Sequence, residues 1–117
     1  MASYGFVIPI LPGMVDRDRE FAAELSGPRR AEHAASRARL GQTRELVWLQ
    51  QTEQGPVAVV YLEAEDIGRL FAGLAMSDDP FDVWWRRQIQ EIHGLDLSQP
   101  MPGPPNELIL DFQPQVR

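Results

Sequence analysis

Residues 44–63 read RELVWLQQTEQGPVAVVYLE, and this stretch decides the fold. It holds two runs rich in Val, Leu and aromatic residues, 44–51 and 56–63, separated by TEQG at 52–55. Such runs on either side of a short turn that contains Gly are typical of a β-hairpin. A turn centred near Gln54 places six side chains on one face of the two strands: Leu46, Trp48, Gln50, Val57, Val59 and Tyr61.

The predicted strands are apolar on both faces. Residues 46–49 (LVWL) and 57–62 (VAVVYL) are continuous apolar runs, whereas a strand with one wet face alternates apolar and polar residues. Helices of the same chain can cover only one face of such a sheet. We therefore expect a homodimer that packs through its sheet faces, because large exposed apolar patches are rare on monomers. The alternative is that these strands are too short for the pattern to be meaningful.

Upstream of the hairpin, residues 4–11 predict a strand and residues 14–40 predict a helical region. Gly27-Pro28 breaks that region in two, because Pro belongs at a helix start and not in its interior. Gly41 is the residue expected to end the second piece.

Downstream, Asp66 opens a helix whose apolar residues recur at helical spacing. Asp79 and Pro80 form the start of another helix, with the carboxylate as cap and the proline at the first position. Gly94 is its expected end. A proline-rich connector at 97–105 then leads to a last predicted strand, residues 107–113.

The order of elements is β, α, β, β, α, β, with the second helical region split in two. This order predicts an α+β fold of the ferredoxin-like βαββαβ type, with helices on one face of an antiparallel sheet. A length of 117 residues fits a single domain over residues 1–117.

Composition excludes several classes of function. The net charge is −6, which argues against nucleic-acid binding and against binding to anionic membranes. The chain has no Cys, so thiolate nucleophiles, Fe–S clusters and Cys-ligated zinc are excluded. No apolar run reaches membrane-spanning length, and a cytoplasmic location is the default expectation.

Five short stretches carry a resemblance to a known superfamily: residues 45–50 (ELVWLQ), 59–61 (VVY), 63–66 (EAED), 77–82 (SDDPFD) and 91–96 (EIHGLD). Together with the order of elements, they resemble the dimeric α+β-barrel superfamily, which includes the antibiotic-biosynthesis-monooxygenase-like proteins. Within it, the chain looks like an uncharacterised bacterial family. The resemblance covers the C-terminal two-thirds of the chain.

The resemblance implies a homodimer with a small-molecule pocket between the sheet and the helices of each subunit. Members of this superfamily include cofactor-free monooxygenases, isomerases, cyclases and haem-handling proteins, so fold alone does not give the reaction. The cofactor-free monooxygenases are associated with a paired Trp and Asn. Asn106 is the only Asn here and cannot be placed beside a tryptophan, so that mechanism is not carried over.

Aromatic residues provide the candidate substrate-binding groups. Trp48 and Tyr61 are neighbours on the predicted hairpin, and Trp84, Trp85 and Gln88 belong to the helix expected to face them. Such a set can line an aromatic pocket with few polar groups, the usual form of a small-molecule site. The same spacing is equally typical of a hydrophobic core.

The two histidines are the candidate catalytic residues. His33 and Arg37 lie one helical turn apart, so His33 could act as a general base with Arg37 beside the substrate, or both could lie on a solvated face. His93 ends its helix, where it is either a structural cap or a proton donor or haem ligand at a pocket mouth. Their spacing predicts no metal site, and we expect no cofactor.

Two main functions remain open from the sequence, beside haem binding, which rests only on the two histidines. One is a cofactor-independent enzyme, a monooxygenase, cyclase or isomerase, acting on a hydrophobic metabolite. The other is a non-catalytic homodimer that binds a small molecule or has a structural role, because no nucleophile elbow, phosphate loop or metal motif is present.

Overall fold

The hairpin forms where its sequence predicts it. In the computed structural model, which describes residues 2–99 and 106–115, strand β2 (Gln42–Thr52) pairs antiparallel with strand β3 (Gly55–Ala64). Across the turn, the Thr52 hydroxyl donates a hydrogen bond of 2.7 Å to the Gly55 carbonyl. Gly55 has a φ of +115°, which only glycine adopts readily. The turn chemistry therefore sets the register of the hairpin.

A third strand completes the described sheet. Strand β1 (Ala2–Pro9) pairs antiparallel with β3, which gives the order β1-β3-β2. The strand predicted at 4–11 is therefore confirmed, but the observed strand begins and ends two residues earlier. Val59, on the central strand, lies opposite Val7 on one side and opposite Trp48 on the other. One strip of side chains consequently crosses the whole sheet.

Four helices pack with this sheet: α1 (Val15–Ser26), α2 (Arg30–Leu40), α3 (Ile67–Met76) and α4 (Pro80–His93). Helices α1 and α2 are the two parts of the first helical region, and the predicted break at Gly27-Pro28 is confirmed. Gly41 ends α2 with a φ of +76°, a left-handed conformation that costs other residues free energy.

The predicted caps of the later helices are also confirmed. The Asp66 carboxylate accepts a hydrogen bond of 2.8 Å from the Arg69 amide at the start of α3. Asp79 accepts one of 3.0 Å from the Phe81 amide, and Pro80 is the first residue of α4. Gly94 follows α4 with a φ of +73°. These local signals fix where both helices begin and where α4 ends.

The predicted last strand is wrong as a paired strand. Residues 106–115 form no strand, so the described order is β-α-α-β-β-α-α and the sheet has three strands. The Asn106 amide donates to the Gly5 carbonyl, which places the start of this segment beside the free edge of β1. Its apolar side chains face solvent, with Ile109 87% exposed. A run with strand-forming residues becomes a strand only where a neighbouring backbone pairs with it.

The core lies between the helices and one face of the sheet. Phe6 and Ile8 of β1 and Ala58, Val60 and Leu62 of β3 point to that face, two residues apart along each strand. They pack with apolar residues of the helices, namely Phe21, Leu70, Leu74, Trp85 and Ile92. The expectation of helices covering one face of an antiparallel sheet is therefore confirmed.

The other face of the sheet has no cover from the described part of the chain. We call it the open face; it carries Val7 of β1 and all six residues predicted to share one side of the hairpin, Leu46, Trp48, Gln50, Val57, Val59 and Tyr61. Val7 is 60% exposed and Trp48 is 52% exposed. Solvent therefore reaches a continuous apolar strip that crosses three strands.

Candidate functional site

A cavity of about 100 Å³ lies between the helices and the covered face of the sheet. Its walls are mostly apolar and come from every layer of the fold, for example Phe6 and Val60 from the sheet and Phe21, Phe71 and Trp85 from the helices. A cavity of 150 Å³ lined in this way holds a benzene molecule. The volume here therefore suits a small hydrophobic molecule or a hydrophobic group of a larger one.

Few polar side chains reach this cavity, and they come from four different elements. Asp18 lies on α1, Arg37 on α2 and His93 at the end of α4, while two more belong to β2, Gln42 and Glu45. An apolar pocket with a few convergent polar groups is the usual form of a ligand site in proteins.

Arg37 is the most buried charged group on this wall, with only 6% of the residue exposed. Its guanidinium carbon lies 4.5 Å from the centre of the Trp85 ring, a cation–π contact that orients the guanidinium plane. Its Nη1 donates to the Ser36 hydroxyl at 2.8 Å, and its Nε has no hydrogen-bond partner in the described part of the chain. Burial lowers the pKa of Arg37, and the nearby Glu45 carboxylate opposes that shift.

Glu45 and His33 form a polar pair at the edge of the cavity. Glu45 points to the covered face of β2, where its Oε1 lies 3.4 Å from His33 Nε2 and accepts a hydrogen bond of 3.2 Å from the Gln42 amide. Burial alone would raise the pKa of Glu45, but His33 and Arg37 outweigh burial and hold this pKa below its ordinary value. Glu45 is therefore ionised at neutral pH.

Neither Arg44, its neighbour in sequence, nor Arg86 of α4 pairs with Glu45. Arg44 lies opposite Glu63 across the strands, beyond the register irregularity between residues 42 and 44. Arg86 donates to the carbonyl oxygens of Leu74 and Ser77. The neighbours of Glu45 come instead from α2, which crosses its strand.

His93 closes the far end of the cavity. Its Nδ1 donates to the Pro9 carbonyl at 2.9 Å and so ties the end of α4 to the end of β1. Asp18 lies near this ring. Burial raises the pKa of Asp18, and the charge of His93 partly opposes that shift. His93 thus combines the predicted capping position with a place on the cavity wall.

A buried carboxylate holds α2 in the position that brings Arg37 to the cavity. Asp82 of α4 accepts hydrogen bonds from Ser36 at 2.5 Å, from Ser77 at 2.6 Å and from Arg39 at 2.9 Å. Burial would raise its pKa, but these three donors together lower it. Because Ser36 also accepts from Arg37, the Asp82 cluster and the cavity wall are connected.

An open cleft of about 440 Å³ adjoins the cavity between α2 and β2. The two share Leu25, Arg37, Gln42 and Glu45, so the cleft is continuous with the cavity wall. Its lining also includes His33 and Arg30. The apolar cavity therefore opens beside a cleft that carries a second arginine.

The structure brings some of the predicted site residues together. Arg37, Trp85 and His93 line the cavity, and His33 adjoins it through Glu45. The prediction that His33 and Arg37 share a face of one helix is confirmed, since both line the cleft.

The predicted aromatic pocket does not form within one chain. Trp48 and Tyr61 lie on the open face, so the sheet separates them from α4, and the Tyr61 hydroxyl donates to Glu63 at 2.6 Å. Trp84 packs against Phe21 and Phe81 but does not itself line the cavity. Gln88 is buried and accepts a hydrogen bond from Arg17. The hairpin register was predicted correctly, but the helices cover its other face.

Sequence reasoning missed Asp18, Gln42 and Glu45 as cavity residues. Glu45 carried a signal, because it is an acidic residue next to an apolar run and therefore needs partners if buried. Asp18 sits among other charged residues of α1, and Gln42 precedes the predicted start of β2; neither had a sequence signal.

Among residues 2–99 and 106–115, no helix combines the length and the apolarity needed to cross a membrane. The same residues contain no group of three His, Asp or Glu side chains placed to hold a metal ion. No protein-family model matches the chain, and no curated protein sequence matches it significantly. The site must therefore be interpreted from its own geometry.

Proposed function

We propose that this protein binds a small hydrophobic molecule in the cavity between its helices and sheet, and that it does so as a homodimer. The observation that carries the proposal is the cavity itself: about 100 Å³ of mostly apolar space, with Arg37 and Glu45 on its wall. A protein interior normally leaves few voids larger than a water molecule, so a mostly apolar void of this volume marks a candidate ligand site.

Toluene tests the cavity directly, because it is a small, neutral, apolar molecule that cannot pair with the polar groups on the wall. We expect it to shift the NMR methyl signals of Ala58 and Leu62, which line the cavity. Native mass spectrometry of the freshly purified chain should reveal any ligand carried through purification.

The helix α1 offers a matched pair of variants for this test. Ala22 lines the cavity and Ala23 does not, although both are exposed. Ala22→Trp should fill the space and weaken toluene binding by about tenfold or more, whereas Ala23→Trp should leave binding unchanged. Equal binding by wild type and Ala22→Trp would exclude this cavity as the site.

The open face supports the homodimer part of the proposal. Its strip of apolar side chains crosses all three strands and is not covered by residues 2–99 or 106–115, and a second copy of this face can remove it from water. A face-to-face pair of such sheets is also the assembly of the dimeric α+β-barrel superfamily, to which we assign the chain as part of this proposal.

Light scattering tests the assembly. We expect twice the chain mass of 13.2 kDa at micromolar concentration. Val7→Arg, on the open face, should give monomers, because it places a charge where two apolar faces meet. Met76→Arg is the control, since Met76 is exposed on α3. A wild-type protein that remains monomeric would contradict the homodimer.

A second candidate function is proton transfer by a cofactor-independent enzyme, such as an isomerase or cyclase. The pair that favours it is Glu45 with His33, an ionised carboxylate 3.4 Å from an imidazole at the edge of an apolar cavity. Such a pair can remove a proton from carbon and return it elsewhere. The non-catalytic binding protein is the alternative.

Exchange of the α-hydrogens of cyclohexanone in D₂O, followed by NMR, separates these two alternatives. Catalysis predicts exchange faster than in buffer, lost in Glu45→Gln and retained in Glu53→Gln, which alters an exposed turn residue. Toluene binding without any acceleration of exchange would favour the non-catalytic protein.

A further inference from the structure

Arg37 is a buried cation whose guanidinium has no carboxylate partner. Among residues 2–99 and 106–115, no carboxylate oxygen lies within 4.0 Å of it, although the residue is only 6% exposed. Buried charges in proteins are normally paired, because an isolated ion loses its hydration without compensation. The described part of the chain thus leaves the charge of Arg37 without a direct counter-ion.

The two nearest acidic residues are already engaged elsewhere. Glu45 accepts from Gln42 and lies against His33. Asp82 accepts from three other donors, and Arg37 reaches it only through the Ser36 hydroxyl. Both carboxylates reduce the cost of burying Arg37, but neither occupies its hydrogen-bonding edge.

The unpaired, buried edge of the guanidinium has a defined chemistry. Nη1 is used by Ser36, and the flat Trp85 ring fixes the plane, which leaves Nε and Nη2 as a side-by-side pair of donors. Such a pair matches the two oxygens of a carboxylate. The indole N–H of Trp85 is also buried and unpaired in the described part of the chain, so a further donor lies close by.

The surrounding charge favours an anion despite the acidic chain. The cleft that shares Arg37 with the cavity is lined by a second arginine, Arg30, and by one carboxylate, Glu45. The net charge of the whole chain is −6, so this local excess of arginine is opposite in sign to the molecule as a whole. It raises the local concentration of anions at the cavity entrance.

We propose that the ligand of this cavity is a small hydrophobic carboxylate, whose two oxygens accept hydrogen bonds from Nε and Nη2 of Arg37 while its hydrocarbon part fills the cavity. This inference rests on the proposed binding function and specifies its ligand class. A hydrocarbon part about the size of a benzene ring suits the volume.

Calorimetric titration of the full-length protein with benzoate, benzamide and toluene tests the inference. Benzoate and benzamide have nearly the same shape, but only benzoate is charged. We expect benzoate to bind about tenfold or more tightly than benzamide, because a charge-assisted pair of hydrogen bonds is about twice as strong as a neutral pair.

Substitutions of Arg37 test whether this residue causes the preference for benzoate over benzamide. Arg37→Met should abolish the preference for benzoate while retaining toluene binding, and Arg37→Lys should restore only part of it, because Lys lacks the planar pair of donors. Arg29→Met is the matched control: Arg29 lies 4.0 Å above the Trp84 ring, also as a cation over an indole, but outside the cavity lining.

The outcomes distinguish the inference from the proposed function. If toluene binds but benzoate binds no better than benzamide, or if Arg37→Met keeps the preference, the carboxylate inference is wrong and the cavity remains a binding site. If none of the three probes binds to wild type, the proposed function itself fails. A cooperative unfolding transition of Arg37→Met, as in wild type, is the check on folding, and Arg37→Lys keeps the inference testable if Arg37→Met does not fold.

Discussion

Asp82 illustrates how one buried side chain organises several elements. Its side chain is 1% exposed, and its carboxylate joins α2 through Ser36 and Arg39 to the start of α4, with Ser77 bridging from the end of α3. A carboxylate can be buried at low cost when each oxygen accepts hydrogen bonds from well-placed donors. Asp82 therefore determines where α2, and with it Arg37, lies over the sheet.

Asp82→Asn should destabilise the protein by about 2–3 kcal/mol at neutral pH. The amide replaces one acceptor oxygen with a donor, which then faces donors and leaves buried groups unsatisfied. Urea unfolding followed by circular dichroism measures the change. Asp78→Asn is the control, because Asp78 is exposed and belongs to the same segment; a loss of the same size in both variants would mean that the buried network is not the cause.

The contribution of the Asp82 carboxylate should also appear in the pH dependence of stability. The pKa of Asp82 lies below its ordinary value of 3.8, so its stabilising effect is complete above that pH. The effect is lost as the pH falls through the lowered pKa, because the unfolded state then binds more protons than the native state. The stability difference between wild type and Asp82→Asn should therefore shrink below pH 3.8. A constant difference down to strongly acidic pH would show that this carboxylate does not titrate as described.

At the scale of elements, Gly41 sets the turn from α2 into β2. Its φ of +76° is left-handed, and a Cβ at this position would lie 3.1 Å from a carboxylate oxygen of Glu65. The turn brings Gln42 and Glu45 to the cavity wall directly after the helix that carries Arg37. A strained residue here would disturb both parts of the site.

Gly41→Ala should accordingly lower the free energy of unfolding by about 1 kcal/mol, because Ala adopts a left-handed conformation only with strain. Gly68→Ala within α3 should instead leave stability unchanged or raise it, since Ala is the better helix former there. The thermal unfolding midpoints of the two variants, measured in the same buffer, test this difference. Equal effects of both substitutions would contradict the role given to the left-handed turn.

The elements differ in how far the sequence could predict them, for physical reasons. Caps at Asp66, Asp79 and Gly94 act over a few residues, so the sequence located both helices. The strand at 107–113 required a partner that local sequence does not specify. The hairpin turn fixed which side chains share a face, but which face the helices cover depends on the strand order and on the handedness of the connection from β1 to β2.

The difference between local and tertiary relations also explains why the site was predicted only in part. His33 and Arg37 are one turn apart on a helix, a local relation that the sequence contains. Glu45 joins them only because α2 folds back over β2, which is a tertiary relation. The sequence predicts Trp48 and Tyr61 on the side of the hairpin that faces α4. In the structure the helices cover the opposite side.

At the scale of the whole molecule, one side of the sheet is packed and the other is open. The open face brings Val7, Val59 and Trp48 into one strip. A dimer through this face would make folding and assembly one coupled process, because each protomer would complete the cover of the other.

This coupling predicts a thermal midpoint that rises with protein concentration in wild type. Calorimetry over a hundredfold dilution series measures it, and Val7→Arg should show a lower midpoint that no longer depends on concentration. A wild-type midpoint that is constant over the series would indicate that each chain unfolds as an independent unit.

The sheet also separates two tryptophans that sense different events. Trp48 stands on the open face, and Trp85 lies beneath the guanidinium of Arg37 at the cavity. With Trp84→Phe, the molecule would retain two intrinsic fluorophores on opposite sides of one β-sheet. A blue shift on concentrating the sample would then report pairing of protomers, and quenching on adding a carboxylate would report filling of the interior, both in the same cuvette and without any attached dye.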